Sequence, residues 1–148
     1  MTSLPFLPAP PLPSSHELVL KVIPMPADTN GNGDIFGGWV MAQVDLAASV
    51  LPARHIRGRM ATVAVKEIVF KQPVSVGDLL SFFCHVTHIG RTSITVAVEV
   101  FAERFSAQGE YLKVTEAQLT YVAIGEDGKP RPLNPSTASQ GCQVSRAP

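Results

Sequence analysis

A chain of 148 residues, 45% hydrophobic and 16% charged, is one domain's worth of sequence with enough apolar residues to bury a core. Its formal net charge is zero, and no basic stripe suits a phosphate backbone, so nucleic-acid binding is not expected. Two cysteines, Cys84 and Cys142, are too few for a disulfide framework and lack metal spacing, no apolar run reaches membrane-spanning length, and the N-terminus is broken by prolines without a basic leader region, so the chain reads as reduced, cytoplasmic and not inserted in a membrane.

Residues 1–15 contain five prolines and read as a flexible, partly extended tail. Residues 16–124 form the expected folded domain. His16–Ile23 is a first strand. The following PMPADTNGNGD is a long loop, marked by two prolines and two Asn-Gly pairs. A helix is expected from Gly37 to about Leu51, closed by Pro52. Then the period changes. ATVAVKEIVFK is β-branched and strand-like, and QPVSVGD is a loop. LLSFFCHVTHI and RTSITVAVEVFAE flank Gly90 as a tight hairpin, with Ile94, Val96, Val98 and Val100 on one face. YLKVTEAQLTYVAI is a last strand, and residues 125–148, rich in turn formers and small polar residues, read as a second flexible tail. Short gaps between the last strands demand antiparallel pairing. The expected fold is therefore α+β, a five-stranded antiparallel sheet wrapped around one long helix.

The chemistry points to residues 28–45. From Ile35 to Ala53 every residue is uncharged except Asp45. A helix apolar nearly all round is a buried helix, and a carboxylate within it is costly unless paired or used. Its bland role would be a hydrogen bond to nearby backbone or an ion pair with a distant arginine. Gly37-Gly38 opens the same helix, where free N–H groups and the helix dipole favour a developing negative charge. A carboxylate base with an oxyanion-stabilising helix end is the minimum equipment for hydrolysing an activated acyl group. Eight residues of helix separate the two by about 12 Å and roughly 80° of rotation, so they do not converge on one carbonyl within one chain. Two chains packed with antiparallel helices would bring them together, which argues for a composite site at a dimer interface.

Three ordered blocks, DTNGNGDIFGGWVMAQVD (28–45), TVAVKEIVFKQPVSVGD (62–78) and HIGRTSITVAVEVF (88–101), resemble the YciA-type acyl-CoA thioesterases of the hotdog superfamily, over roughly residues 18–125. The resemblance implies a hotdog fold, dimers assembled as a hexameric trimer of dimers, and thioester hydrolysis at the dimer interface. It places the catalytic aspartate on Asp45 and the oxyanion amide on Gly37 or Gly38, with Asn30 completing the site from the opposite subunit. It implies no metal and no cofactor, coenzyme A being part of the substrate. Whether Asp45 activates water or attacks the thioester directly stays open.

Phosphates of coenzyme A need cations. Arg91, followed by Thr92 and Ser93 after a glycine turn, suits a phosphate best; Arg59 and Lys71 are the other candidates. Asp28-x-Asn30-x-Asn32-Gly33 imitates a calcium loop, but Trp39 stands where that loop needs a bidentate glutamate, so a structured turn is expected. His85 and His88 point to opposite faces of a strand, and no G-x-S-x-G marks a nucleophilic serine. The competing functions are a hotdog acyl-thioester dehydratase, against which stands the absence of a histidine in Ile35–Gly38, and a non-catalytic acyl-CoA binding module, which would not need Asp45.

Overall fold

The computed structural model describes residues 12–13 and 15–133. Most of both expected tails therefore lies outside the described residues. Five strands and two helices follow one another as β1 (Glu17–Val22), α1 (Gly37–Ala48), α2 (Val50–Ile56), β2 (Met60–Phe70), β3 (Leu79–Ile89), β4 (Ser93–Glu103) and β5 (Tyr111–Ala123), with a short 3₁₀ turn at Pro26–Asp28. The strands form one antiparallel sheet in the order β1-β3-β4-β5-β2.

The core lies between α1 and the concave face of the sheet. Val40, Val44, Ala47 and Ala48 of α1 are buried, a spacing of four, three and one that places them on one helical stripe. Against them stand Leu80, Phe82 and Cys84 of β3, Ile94, Val96, Val98 and Val100 of β4, and Ala117, Leu119, Tyr121 and Ala123 of β5. Alternate residues of a strand share a face, so the regular valine-isoleucine run of β4 supplies one continuous apolar strip. Each fully buried aliphatic or aromatic side chain contributes roughly 1.5–3 kcal/mol, which makes this layer the main source of stability. Burial pushes the Cys84 thiol up to about 12, so it remains a protonated packing group and no nucleophile.

Three expectations need correction. Pro52 does not close a single long helix. The helix breaks at Ser49, and Pro52 sits in the first turn of α2, where the missing N–H has no intrahelical partner to lose. The folded body also runs past residue 124. Arg131 N–H donates to the Ala123 carbonyl at 2.9 Å, Leu133 N–H donates to Arg91 O at 3.0 Å, and Leu133 is buried in the core. Lastly, α1 is not apolar on all sides because it is enclosed on all sides. Phe36, Met41 and Leu46 are 53%, 42% and 60% exposed in the single chain. Val63, Val65 and Phe70 of β2 are also exposed, and β2 is a sheet edge of 11 residues. A long apolar edge beside an apolar helix face is an unfinished surface.

The loop from β2 to β3 is fixed from beneath. Arg104 forms an ion pair with the buried Asp78, donates to Pro73 O at 2.9 Å, and Asp78 in turn accepts from Ser75 N–H at 2.9 Å. This ties residues 73–78 to the end of β4 and holds one wall of the cleft described next.

Candidate active site

Asp45 projects from the last third of α1 toward β2 and β5. Its Oδ1 accepts hydrogen bonds from Thr62 Oγ1 at 2.8 Å and from Tyr121 OH at 2.7 Å. Thr62 and Tyr121 are directly paired across β2 and β5, so two hydroxyls on neighbouring strands converge on one carboxylate oxygen. The Tyr121 hydroxyl also lies 2.8 Å from the Asp45 carbonyl oxygen. Among the described residues, nothing hydrogen-bonds Oδ2 and no cation pairs with Asp45. The carboxylate is half-buried. It is neither sealed in an ion pair nor free in bulk water. The Tyr121 phenol is pushed far up by burial, and further by its hydrogen bond to Asp45 and the charge of that carboxylate. It therefore stays protonated and acts as a donor at any physiological pH.

Neither hydroxyl was among the residues the sequence pointed to. A signal existed for Tyr121. Leu119, Tyr121 and Ala123 alternate on the inner face of β5, and a buried phenol needs a hydrogen-bond partner; the solitary charge in α1 is the one to suspect. Thr62 carries no comparable signal, because threonine is ordinary in a strand.

The second group of site residues lies at the other end of α1. Asn30, Gly37 and Lys71 line one cleft of about 330 Å³, together with Val40, Phe70 and Pro73. The loop that carries Asn30 is a compact turn rather than a metal loop. Asn30 Oδ1 accepts from the backbone N–H groups of Asn32 and Asp34 at 2.9 and 3.2 Å, an Asx-type turn. Gly33 takes the left-handed conformation the loop requires, with φ of 83°. Locking Oδ1 in this way fixes the amide orientation and leaves Nδ2 as the group available to a ligand. Ile35 N–H donates to Val74 O and Phe36 N–H to Asp28 O, which anchors the loop just before the helix. The Gly37 and Gly38 N–H groups have no acceptor among the described residues. Gly37 faces the cleft beneath the ring of Phe70, whereas Gly38 is exposed and is not among the lining residues.

The structure thus brings Asn30, Gly37 and Lys71 together and leaves Asp45 apart from them, as helix geometry requires. The remaining expected residues cluster near the Asp45 end. Thr92 O accepts from Ala123 N–H and Arg59 O accepts from Ile124 N–H, so Arg59 and the Arg91–Ser93 turn flank the end of β5 just beyond Tyr121. Arg59 and Arg91 are exposed and make no ion pair among the described residues. Lys71 bridges Glu116 at 3.1 Å, so it is not a free cation.

A helix wrapped by this sheet, with a lone carboxylate and a helix N-terminus as its polar features, defines a thioesterase of the hotdog class. A family model described as the thioesterase superfamily matches residues 32–104. The acyl-CoA thioester hydrolase YciA of Salmonella typhimurium is 45% identical over 119 residues, covering 79% of this chain and 90% of the relative. The chain belongs to this family of acyl-CoA thioester hydrolases. Among solved structures, a hexameric thioesterase of Yersinia pestis superposes with a TM-score of 0.77 at 43% identity, covering 84% of this chain and 99% of that one. HI0827, described as a hexameric broad specificity acyl-coenzyme A thioesterase, superposes with a TM-score of 0.78 at 37% identity, covering 87% and 88%.

Proposed function

We propose that the protein hydrolyses acyl-CoA thioesters to a carboxylic acid and coenzyme A at sites shared between two chains. The observation that carries this reading is the division of the polar groups. Within one chain, Asp45 is held beside Thr62 at the start of β2, and Gly37 lies beneath Phe70 at its end. β2 is an unpaired edge with exposed apolar residues. Antiparallel pairing of two β2 strands reverses their direction, so the Thr62 end of one chain meets the Phe70 end of its partner. Asp45 of each chain then approaches the Asn30–Gly37 cleft of the other. The same contact covers the exposed face of α1. In hexameric assemblies of the kind named for the Yersinia pestis protein, three such dimers would associate.

In this arrangement Asp45 Oδ2, the oxygen without a hydroxyl donor, takes a proton from a water as the water oxygen bonds to the thioester carbonyl carbon. The carbonyl oxygen gains the negative charge and is held by the Gly37 amide and the Asn30 Nδ2 group of the partner, with the Gly38 amide beside them. Collapse breaks the carbon–sulfur bond, and the proton passes from Asp45 to the departing thiolate. No step calls on a metal. The cation-rich end near β5, with Arg91, Thr92, Ser93 and Arg59, receives the phosphates of coenzyme A, and Lys71 contributes from the cleft by exchanging its half-exposed Glu116 partner for a phosphate oxygen. A dehydratase would need an acid–base pair at the helix start. Ile35, Phe36, Gly37 and Gly38 supply none.

Free thiol release from acetyl-, butyryl- and palmitoyl-CoA tests this directly. Turnover of at least one is expected, and the rank order fixes acyl length; no thiol release from any of the three would leave only a binding role. In the same assay Arg91→Glu is expected to raise KM about tenfold while kcat changes less than twofold, the cost of one charge-assisted contact being roughly 1.5 kcal/mol. An unchanged KM removes Arg91 from the binding surface.

A further inference from the structure

We propose that Tyr121 is a positioning residue of the reaction, fixing which oxygen of Asp45 faces the substrate. This rests on the reading of Asp45 as the reactive carboxylate and adds to it a residue on β5 that touches no substrate. The geometry is specific. One phenol hydrogen is shared between Asp45 Oδ1 at 2.7 Å and the Asp45 carbonyl oxygen at 2.8 Å, which clips the side chain back to its own helical turn. An aspartate free to rotate about its two side-chain torsions would present either oxygen in several directions. Clipped by Oδ1, it presents Oδ2 alone, and in one direction.

Thr62 also donates to Oδ1, but it stands on the edge strand and is exposed in the single chain, so its place depends on the partner's β2. Tyr121 is 2% exposed, lies in the interior of the sheet, and its ring is locked in the main core cluster. The rigid donor is the tyrosine. A phenylalanine would fill the same volume, so what the hydroxyl adds is this connection and not packing. Among the described residues Tyr121 is the one titratable group that hydrogen-bonds Oδ1, and Cys84 on β3 lies near the phenol rather than the carboxylate; burial keeps both protonated.

The test is Tyr121→Phe in the full-length protein, measured beside Asp45→Asn and the double variant. Loss of one donor to the carboxylate is expected to lower kcat at least tenfold and leave KM within twofold, since a misaligned base slows the chemical step without weakening binding. In the double variant the second change is expected to cost nothing further, because the group it positions is already gone. A Tyr121→Phe enzyme with wild-type kcat overturns the inference, and so does an equal loss in the Asp45→Asn background. An active Asp45→Asn protein would instead remove the reading of Asp45 itself. Should Tyr121→Phe fail to fold, 3-fluorotyrosine incorporated into a Tyr111→Phe protein, where Tyr121 is the one tyrosine left, keeps the ring and strengthens the donor. Then kcat is expected to change more than twofold at unchanged KM, with no such change in the Asp45→Asn background, and an unchanged kcat overturns the inference.

Discussion

Asp45→Asn is expected to lower kcat by about 10³-fold, the usual worth of a positioned general base, with little change in KM and with the fold intact. The substitution is isosteric. Its side-chain carbonyl can still accept from Thr62 and Tyr121, which donate to Oδ1 in the wild-type protein, so no buried hydroxyl is left without a partner. What is lost is the capacity of the second oxygen to take a proton. Circular dichroism and thermal unfolding like those of the wild type, with thiol release about 10³-fold down yet still above the enzyme-free rate, is the expected pair of results. Turnover close to wild type would place the chemistry elsewhere.

A second large effect is expected at the exposed edge of the sheet. Val63 and Val65 are 56% and 50% exposed in the single chain, and β2 offers its unpaired N–H and C=O groups along that edge. Changing both to aspartate introduces four charges per dimer across a two-fold interface. Each charge that must be desolvated costs roughly 2 kcal/mol or more, so the pairing is expected to weaken by several orders of magnitude. The variant is expected to run as a smaller species in sedimentation or size-exclusion experiments and to lose activity, although Asp45, Thr62 and Tyr121 remain together in each chain. A dissociated variant with full activity would show that a single chain suffices.

The sheet and its inner face were legible because local signals and tertiary demands agree there. Ile94 to Val100 alternate, Gly90 breaks the run where the hairpin turns, and every expected strand is present. The misreadings arise where a local rule has two outcomes. Proline stops a helix from its interior yet is welcome in a first turn, and nothing near Pro52 says that a new helix has begun two residues earlier. The stretch 125–133 is rich in turn formers, but turn formers mark ordered turns as well as tails. Leu133 was the one apolar cue, and its side chain is buried where its N–H meets the distant Arg91 carbonyl. The apolar outer face of α1 looked like complete burial because a sequence does not distinguish a core from a surface awaiting another chain. Asp45 stood out as the single charge from Ile35 to Ala53, and Gly37 as a helix start. The hydroxyls that hold Asp45 did not, since their meeting depends on the register of β2 against β5.

The claim on which the rest depends is that each reactive centre takes its carboxylate from one chain and its amide groups from another. Subunit mixing tests it. An Asp45→Asn protein and an Asn30→Ala protein, each nearly inactive alone, are unfolded, mixed in equal amounts and refolded together. Random pairing makes half the dimers mixed, and each mixed dimer holds one intact site of its two. Recovery of about one quarter of wild-type activity is therefore expected. Activity no higher than that of the two variants measured separately, with mixed dimers shown to have formed, would contradict a site shared between chains.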